Sequence, residues 1–553
     1  MRRTHAEPMI SRPTLLVALL CLAWILPGLI GHDPWKPDEA YSFGLVYEIL
    51  WGGSWIVPAL AGEPFMEKPP LFYLTAAASA WLFSPPLAVH DAARLATGFY
   101  MALTFLFTGL AGRELFGRNH GALSVLLLVG CLGLTVRSHQ LITDVALLCG
   151  FAMAFYGLAL YLRRPVIGGF WLGTGVGLGF MAKGLIAPGM LGVIALAAPL
   201  LFRAWRTRNY LFCLAVAALA SLPWLLIWPA ALFHTAPRLF DEWLWVNNFG
   251  RFLGTSSLGP RADPGAYFNI IPWYTFPVLP IALWRLWASR TAGLARPGIQ
   301  LPLLGFLVIL GVLSAAADAR ELYALPLLIP LSLLATPAAG TLRRGAYNAW
   351  FWFGVMGFTF FVFAAWFYWV GLELGVPVQL HQHLHTIQPG YAPGFRLLPF
   401  TLGLVYTLAW FALIFRLKRG PQRPVIVWAA GITLVWGLLA ILFIGWLDTG
   451  KSYRSMMAGM QQALPAQYRC VSSRNLGEPQ RAMLHYFAGI ITYREEVPER
   501  RRDCDLLLVH GVPQEENVPL GPWQKIWEGS RPGDDQDERF RLYQRAAEKP
   551  KKH

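Results

Sequence analysis

Charged residues are scarce in this chain, since Asp, Glu, Lys and Arg together make up 14% of its 553 residues. A soluble protein carries about a quarter, so the scarcity excludes an ordinary soluble domain. Hydrophobic residues make up 56%, and apolar runs recur between residues 14 and 447. Many of these runs approach the roughly twenty residues that cross the hydrocarbon core of a bilayer. The chain is therefore predicted to be a polytopic α-helical membrane protein.

Cysteine is also rare, with six residues in the chain. Four of them lie in apolar runs and are expected to be core residues: Cys21, Cys131, Cys149 and Cys213. Cys470 and Cys504 lie in the polar C-terminal region, where an oxidising compartment would allow a disulfide. The sequence is equally compatible with two free thiols, because it does not report the Cα separation that a disulfide needs.

Clusters of metal ligands and nucleic-acid-binding motifs are missing as well. The nearest approach to metal-ligand spacing is HQHLH at 381–385, which is expected to be incidental rather than a zinc site. The net charge of +15 lies mainly in short loops between apolar runs, without the basic stripes that bind nucleic acid. No metal, cofactor or nucleic-acid partner is therefore predicted.

The apolar runs predict thirteen transmembrane spans. They cover residues 14–31, 91–112, 120–136, 144–162, 166–182, 185–202, 209–231, 268–288, 299–316, 322–338, 347–371, 397–415 and 424–447. Alternate connections are short and rich in arginine, which places them in the cytoplasm by the positive-inside rule. Of the sixteen acidic residues before residue 448, only Glu7 and Glu114 fall on that side. The N-terminus is thus expected to be cytoplasmic, and the C-terminus and the reactive side chains outside.

The outer side has three large predicted loops, at 32–90, 232–267 and 372–396. The apolar stretch 71–84 is too short to span and is expected to be an interfacial helix. Residues 1–447 are interpreted as one transmembrane domain, and 448–553 as a small α/β domain on the outer side. Its expected strands are Cys470–Asn475, Ile490–Glu495, Asp505–His510 and Phe540–Gln544, with a helix at Pro479–Ala488.

Two compact polar clusters in the first outer loop are candidates for chemistry: HDPWKPDEA at 32–40 and EKPP at 67–70. Asp144, Lys183 and the DARELY segment at 318–323 lie at the outer ends of spans. Ionisable residues near membrane depth are costly and often line a water-filled cavity. The plainer interpretation is that they are solvated loop residues or snorkelling anchors at helix ends.

Seven short motifs occur in a characteristic order: PDEA at 37–40, EKPP at 67–70, TD at 143–144, GFMAKG at 179–184, LPW at 222–224, NNFGRF at 247–252 and ELYALPL at 321–327. In this order the chain resembles the C-type glycosyltransferase fold. Within that fold it is most similar to the bacterial relatives of the protein O-mannosyltransferases, especially the aminoarabinose transferases that modify lipid A. The resemblance covers nearly the whole chain.

The resemblance implies an inverting transfer of 4-amino-4-deoxy-L-arabinose from undecaprenyl phosphate to a lipid A phosphate. The reaction would take place at the periplasmic face of the bacterial inner membrane and would confer resistance to polymyxin and other cationic antimicrobial peptides. The implied catalytic residues are Asp38, Lys68 and Asp144. The implied substrate-binding residues are Glu39, Glu67, Lys183, Arg251, Arg320, Glu321 and Tyr323.

The chain departs from the family pattern at two places. Asp318-Ala319-Arg320-Glu321 stands where the family usually has Lys or Gly-Lys before the ELY motif, and Asn247 and Asn248 stand where the aminoarabinose enzymes often have His. Three alternatives to lipid A modification are kept open. They are a related transferase acting on protein Ser or Thr or on another glycolipid, a lipid or sugar transporter, and an envelope scaffold. The transporter hypothesis would predict inverted repeats, which the sequence lacks.

Overall fold

Long apolar helices dominate the computed structural model, which describes residues 12–256, 265–293, 295–514, 521–534 and 537–546. Arg2 and Arg3, which helped to predict the orientation, lie outside the described residues. Within these ranges nine helices are long and apolar enough to cross a membrane. They are Val89–Phe116, Thr143–Leu160, Pro165–Lys183, Arg208–Thr235, Pro297–Ala315, Glu321–Ala338, Arg344–Glu373, Leu397–Arg416 and Arg423–Leu442. Each coincides with a predicted span.

Two further predicted spans are broken rather than straight. The pair Arg118–Val129 and Leu132–His139 is bent by 76°, and the pair Ala266–Tyr274 and Val278–Ser289 by 95°. The backbone N–H of Leu132 donates to the carbonyl of Phe276 over 3.2 Å. A backbone group freed at one break is therefore hydrogen-bonded to a backbone group at the other. Backbone groups freed at membrane depth need such partners, because no water is available in hydrocarbon.

The count of thirteen spans is not reached by length and composition alone. Counting each bent pair as one span gives eleven among the described residues. The first and sixth predicted spans form the shorter apolar helices Thr14–Ile25 and Ile186–Leu201. A helix of sixteen residues is about 24 Å long at 1.5 Å per residue, which is less than the roughly 30 Å hydrocarbon core.

Short helices and one hairpin occupy the predicted outer loops. The helices are Asp38–Leu50, Leu71–Phe83, Pro237–Asp241 with the π-helix Glu242–Gly250 and the turn Arg251–Leu253, and Val378–Ile387. The hairpin pairs Ala59–Leu60 with Glu63–Pro64. The apolar stretch at 71–84 is therefore helical, as expected.

After residue 443 the chain forms the helices Ile444–Lys451, Arg454–Gln462 and Glu478–Ala488 and a five-stranded sheet. In spatial order its strands are Thr492–Arg494, Val471–Arg474, Leu506–Gly511, Arg539–Arg545 and Trp523–Gly529. The first three strands are parallel to one another. The strand Arg539–Arg545 pairs antiparallel with both Leu506–Gly511 and Trp523–Gly529. All four predicted strands are present within about two residues, and the strand Trp523–Gly529 was not predicted.

The C-terminal helix Glu478–Ala488 packs directly on the helix Asp38–Leu50 of the first outer loop. A Cβ atom at Gly44 would lie 2.6 Å from the Cβ of Ala482, so the two helices approach too closely for any larger residue. Beside this contact the buried carboxylate of Glu63 forms ion pairs with Arg481 at 2.9 Å and with Arg494 at 2.7 Å. Packing and ion pairing together hold the sheet region against the first outer loop.

A fully buried arginine joins the first outer loop to the membrane helices. Arg94 is 0% exposed and donates from Nε to Glu39 over 2.6 Å and from Nη1 to Asp91 over 2.8 Å. It also donates to the carbonyls of Leu29 over 2.9 Å and His32 over 3.1 Å. A buried charge is stable only when paired and fully hydrogen-bonded, and the Arg94 network meets that condition.

Cys470 and Cys504 form a disulfide, so the question that the sequence left open is decided. Their Cα atoms are 4.9 Å apart and they lie 34 residues apart in sequence. The other four cysteines are buried free thiols. The bridge ties the start of the strand Val471–Arg474 to the strand Leu506–Gly511.

The disulfide gives a thiol count that can be measured. The denatured, unreduced protein should yield four free thiols per chain with a thiol reagent, and six after reduction, because two of the six cysteines are bridged. Replacing both Cys470 and Cys504 by Ser should destabilise the sheet region by about 3–4 kcal/mol, since a loop of this length is no longer closed in the unfolded chain.

Limited proteolysis with and without dithiothreitol measures the second effect. Reductant should increase cleavage of the wild type after residue 448 and should not affect the double Ser variant further. Cys213→Ala removes a free thiol outside the sheet region and serves as the control. This variant should respond to reductant like the wild type. Six thiols before reduction would contradict the bridge.

Candidate functional site

Three carboxylates lie in the first turn of helices that begin at one place on the predicted outer side. They are Asp38, Asp144 and Glu478, in the helices Asp38–Leu50, Thr143–Leu160 and Glu478–Ala488. The N-terminus of a helix carries partial positive charge, which stabilises a carboxylate there. Lys183 is the last residue of the helix Pro165–Lys183, where the opposite end of the dipole stabilises a cation. The helix ends thus bring charges of both signs together.

These charges surround a cavity of about 130 Å³. Its lining residues are Pro37, Asp38, Tyr41, Glu67, Lys68, Asp144, Arg251, Arg320, Leu322, Tyr323, Glu478 and Pro479. Seven of the ten residues expected at the site are in that list: Asp38, Glu67, Lys68, Asp144, Arg251, Arg320 and Tyr323. Segments far apart in sequence therefore meet at one polar cavity.

Arg251 is the most highly coordinated cation of the cavity. Its Nη1 lies 3.3 Å from Glu67 Oε1, and its Nη2 lies 3.3 Å from Asp318 Oδ2. The hydroxyl of Tyr323 donates to the same Asp318 oxygen over 3.3 Å. Because a guanidinium has five donors in a rigid fork, these contacts orient Arg251 and leave donor capacity facing the cavity.

Lys68 has a different environment. Its ammonium group donates to the hydroxyl of Tyr41 and lies 4.9 Å from the centre of the Tyr41 ring. Among the described residues, no carboxylate lies within ion-pair distance of it. A half-buried cation without a carboxylate partner is a preformed place for an anionic ligand, because its charge is not already neutralised.

Asp38 is held only loosely by side chains. Its Oδ1 accepts from Tyr41 over 3.4 Å and lies 3.7 Å from Arg320 Nη1, both longer than a well-formed hydrogen bond. Arg320 is shared with Asp318 at 3.9 Å. The position of the Asp38 carboxylate is consequently set by its backbone.

Lys183 lies beside the cavity rather than in its lining. Its Nζ forms an ion pair with Asp144, whose side chain is 3% exposed, and lies 3.9 Å from the centre of the Tyr323 ring. The pair buries two charges of opposite sign at the predicted outer end of two long apolar helices. Lys183 therefore contacts two lining residues at once and fixes Asp144.

Two expected site residues are not brought to the cavity. Glu39 is 1% exposed, and its carboxylate accepts from Arg94 and from the backbone of Leu141. Glu321 is more exposed and lies 3.7 Å from Arg137. Adjacent residues on a helix point in different directions, which separates Glu39 from its neighbour Asp38.

The cavity also contains residues that the sequence did not single out. Tyr41 follows Asp38 by three positions and so lies on the same helix face, a signal that the first outer loop offered. Glu478 comes from the sheet region, and no motif marks it. Burial, and then the negative charge of Glu67, raise the pKa of Glu478 above its ordinary value. Among the described residues no cation forms an ion pair with its carboxylate.

Metal ligands are not gathered in any part of the chain that the structure describes, where no three His, Cys, Asp or Glu side chains are placed to hold an ion. In the HQHLH segment, the rings of His381 and His385 are 6.2 Å apart. His381 is hydrogen-bonded to the carbonyl of Gly371 at 3.0 Å.

Comparison with known proteins gives similarity at the level of both sequence and fold. Residues 67–228 match the dolichyl-phosphate-mannose-protein mannosyltransferase family. An undecaprenyl phosphate-alpha-4-amino-4-deoxy-L-arabinose arabinosyl transferase of Sodalis glossinidius is 32% identical over 333 residues, which is 58% of this chain and 57% of that protein. The protein of that name in Pseudomonas fluorescens strain Pf-5 is 28% identical over 76% of this chain and 72% of its own length. With the first of these relatives, the matched part of the chain thus spans little more than half of the relative's length.

Among solved structures, the chain is similar to ArnT from Cupriavidus metallidurans bound to undecaprenyl phosphate. The TM-score is 0.73 at 16% identity, over 97% of this chain and 98% of that one. The apo form of the same protein gives a TM-score of 0.72 over 96% of this chain and 97% of its own. The resemblance inferred from the motifs is confirmed, and the chain has the C-type glycosyltransferase fold.

The Lys183–Asp144 pair predicts a specific pattern of stability. Lys183→Met leaves the carboxylate of Asp144 buried without its partner, which should cost about 3–5 kcal/mol. The double variant Lys183→Met, Asp144→Leu removes both charges and should recover most of that loss. Unfolding in detergent micelles by heat or by sodium dodecyl sulfate measures the difference.

Arg118, which is exposed, provides the matched control, and Arg118→Met should change the unfolding midpoint little. Equal losses in the single and the double Lys183 variants would show that the ion pair does not stabilise this end of the cavity.

Proposed function

We propose that this protein is an inverting glycosyltransferase that transfers 4-amino-4-deoxy-L-arabinose from undecaprenyl phosphate to a phosphate of lipid A. The observation that carries the proposal is the cavity's charge pattern, in which Lys68 has no carboxylate partner among the described residues while Arg251 and Arg320 line the same cavity. A lipid phosphate needs preplaced cations, and an aminosugar needs carboxylates. The similarity of fold to a transferase bound to undecaprenyl phosphate supports the same conclusion.

The first chemical requirement is stabilisation of the leaving group. The bond between the anomeric carbon and the phosphate oxygen of the donor breaks, and undecaprenyl phosphate leaves with the electron pair. Lys68 supplies a point charge and Arg251 a planar fork for the developing negative charge. Fixed cations in a site shielded from water stabilise such charge without reorganisation.

The acceptor attacks from the opposite face of the sugar, so that the configuration at the anomeric carbon inverts. A phosphate monoester is ionised near neutral pH and requires no general base. Asp38 then orients the acceptor or balances the positive charge that develops on the sugar ring. For a hydroxyl acceptor the same carboxylate would serve as the general base.

Recognition of the aminosugar rests on the carboxylates around the ammonium group. Glu67 and Asp144 are the candidates from the first outer loop and the start of the fourth predicted span, although each already pairs with a cation. Glu478 adds a third, which has no cation partner among the described residues. Glu39 and Glu321 remain predictions as substrate-binding residues, and their distance from the cavity favours indirect roles.

The arrangement in the membrane is part of the proposal. Thirteen spans, with the two short apolar helices and the two bent pairs each crossing once, put the N-terminus in the cytoplasm and the C-terminus in the periplasm. Residues 1–447 form the transmembrane domain and 448–553 a periplasmic α/β domain. The Cys470–Cys504 disulfide supports the orientation, since disulfides persist in oxidising compartments such as the periplasm.

Adding an aminosugar to lipid A offsets its negative phosphate charge. Cationic peptides such as polymyxin then lose electrostatic attraction to the membrane, which accounts for the resistance that the proposal includes. Mass spectrometry of lipid A from cells with and without the gene tests the reaction. A gene-dependent mass increase of one 4-amino-4-deoxyarabinose is expected, whereas a change confined to glycoproteins or to another glycolipid would favour the related transferase.

A lipid or sugar transporter is an alternative from a different class. Purified protein in detergent, with radiolabelled lipid-linked aminosugar and lipid A, distinguishes the two because no membrane barrier exists. An enzyme forms labelled lipid A under these conditions, whereas a transporter forms none.

Substitutions of the proposed machinery should abolish transfer without unfolding the protein. Asp38→Asn and Lys68→Ala should each lower turnover by at least about 100-fold, because misplacing a reactant or removing one stabilising charge has that effect. The measurement is transfer by the purified variants, with their unfolding midpoints recorded in parallel.

Asp241→Asn and Lys525→Ala are matched controls, since both residues lie exposed outside the cavity. Both controls should retain wild-type transfer. Wild-type turnover by either cavity variant would refute the assignment of the site.

A further inference from the structure

The segment that leads into Asp38 is held by the C-terminal part of the chain at several successive residues. The carboxylate of Asp33 accepts from Ser452 Oγ over 2.6 Å and from Arg454 Nε over 2.9 Å. Asp448 Oδ1 accepts from the backbone N–H of Asp33 over 3.0 Å and from the indole of Trp35 over 2.8 Å. These contacts join residues that are more than 400 positions apart in sequence.

Lys36 makes the contact nearest to Asp38. Its Nζ forms an ion pair with Asp534 and lies 3.2 Å from Glu538 Oε2. The Lys36 side chain is 35% exposed, whereas those of Asp534 and Glu538 are 15% and 3% exposed. The two acids are therefore fixed parts of the sheet region, and the lysine reaches to them from the outer loop.

Both acids have a second partner within the sheet region. Arg531 donates from Nε to Glu538 over 2.6 Å and also forms an ion pair with Asp534. It donates from Nη1 to the carbonyl of Lys451 over 3.0 Å. Neither carboxylate would be left unpaired if Lys36 were lost, so the Lys36 contact is not needed for the sheet region to fold.

The position of Asp38 depends on this backbone segment. Side chains within the cavity hold its carboxylate only at 3.4 and 3.7 Å. On one side of it, Glu39 is bound to the buried Arg94 over 2.6 Å. On the other side stands Pro37, whose ring fixes φ and so transmits a displacement of Lys36 to Asp38.

We propose that Lys36, held by Asp534 and Glu538, is a positioning residue through which the C-terminal sheet region sets the place of Asp38 in the cavity. This inference rests on the proposed transferase function. Lys36 is not in the cavity lining, so its effect is on the orientation of Asp38 rather than on the affinity for the donor phosphate. The sheet region thereby contributes to turnover through Lys36 and, separately, to the cavity wall through Glu478.

Steady-state transfer by the purified full-length protein tests the inference. Lys36→Met should lower kcat about tenfold or more, as expected when a reacting group is displaced, with KM for the lipid-linked donor unchanged within about twofold. Lys36→Arg keeps the charge and the reach, and should restore most of kcat. Asp534→Asn should lower kcat in the same direction but less, because Glu538 still lies 3.2 Å from Lys36. Combining the two should add little to the loss in Lys36→Met, which already removes the contacts to both acids.

Lys525→Met is the matched control, since among the described residues Lys525 forms an ion pair only with Glu528, on its own strand at 2.7 Å. Its kcat should be unchanged. Hydrogen exchange at the backbone amides of residues 38–42 gives a readout independent of turnover, and it should be faster in Lys36→Met than in the wild type. Unchanged kcat, a raised KM at unchanged kcat, or equal losses in the Arg and Met variants would each overturn the positioning role.

If the proposed transferase function were wrong, the experiment would give a different result from a failure of the positioning role. In that case the wild type would transfer no aminosugar from the lipid-linked donor. If Lys36→Met did not fold, Asp534→Asn and Lys36→Arg would still decide the question. Wild-type kcat in Asp534→Asn, or a loss in Lys36→Arg as large as that expected for Lys36→Met, would refute the proposal.

Discussion

The buried ion pair of Arg94 with Glu39 is the contact on which the rest of the site depends. A guanidinium that is 0% exposed persists only because every side of it is paired, with Glu39, Asp91 and two backbone carbonyls. Removing one partner from such a set is far more costly than never burying it. The network joins the segment that follows the first apolar helix, the first outer loop and the helix Val89–Phe116, and it fixes the residue next to Asp38.

The same rule governs the cavity, where charges at helix ends neutralise one another in part. Asp144 is paired with Lys183, and Arg251 with Glu67 and Asp318. Lys68 and Glu478 are the exceptions, a cation and a carboxylate without ionic partners among the described residues. A ligand carrying one phosphate and one ammonium group would satisfy both, which connects the electrostatics of the cavity to the proposed donor.

Much of this could be predicted from the sequence. The apolar runs located nine long helices and two bent ones, and alternating patterns located four of the five strands. The fifth, Trp523–Gly529, lies at the sheet edge and has no fully buried residue, so its pattern carries no burial signal. The motifs identified seven lining residues of the cavity. They also suggested Glu39, because a motif does not tell which of two adjacent acids points inward.

The sequence by itself determined the membrane character, the predicted sidedness of charge and the ordered motifs, because these depend on local composition and spacing. Only the tertiary structure decided that Glu478 enters the cavity, that Lys36 meets Asp534 and Glu538, and that Cys470 pairs with Cys504. Each of those contacts joins segments that are distant in sequence or lack a motif, and no local pattern encodes the approach of two helices such as that at Gly44 and Ala482. Contacts of that kind arise from packing of the whole chain.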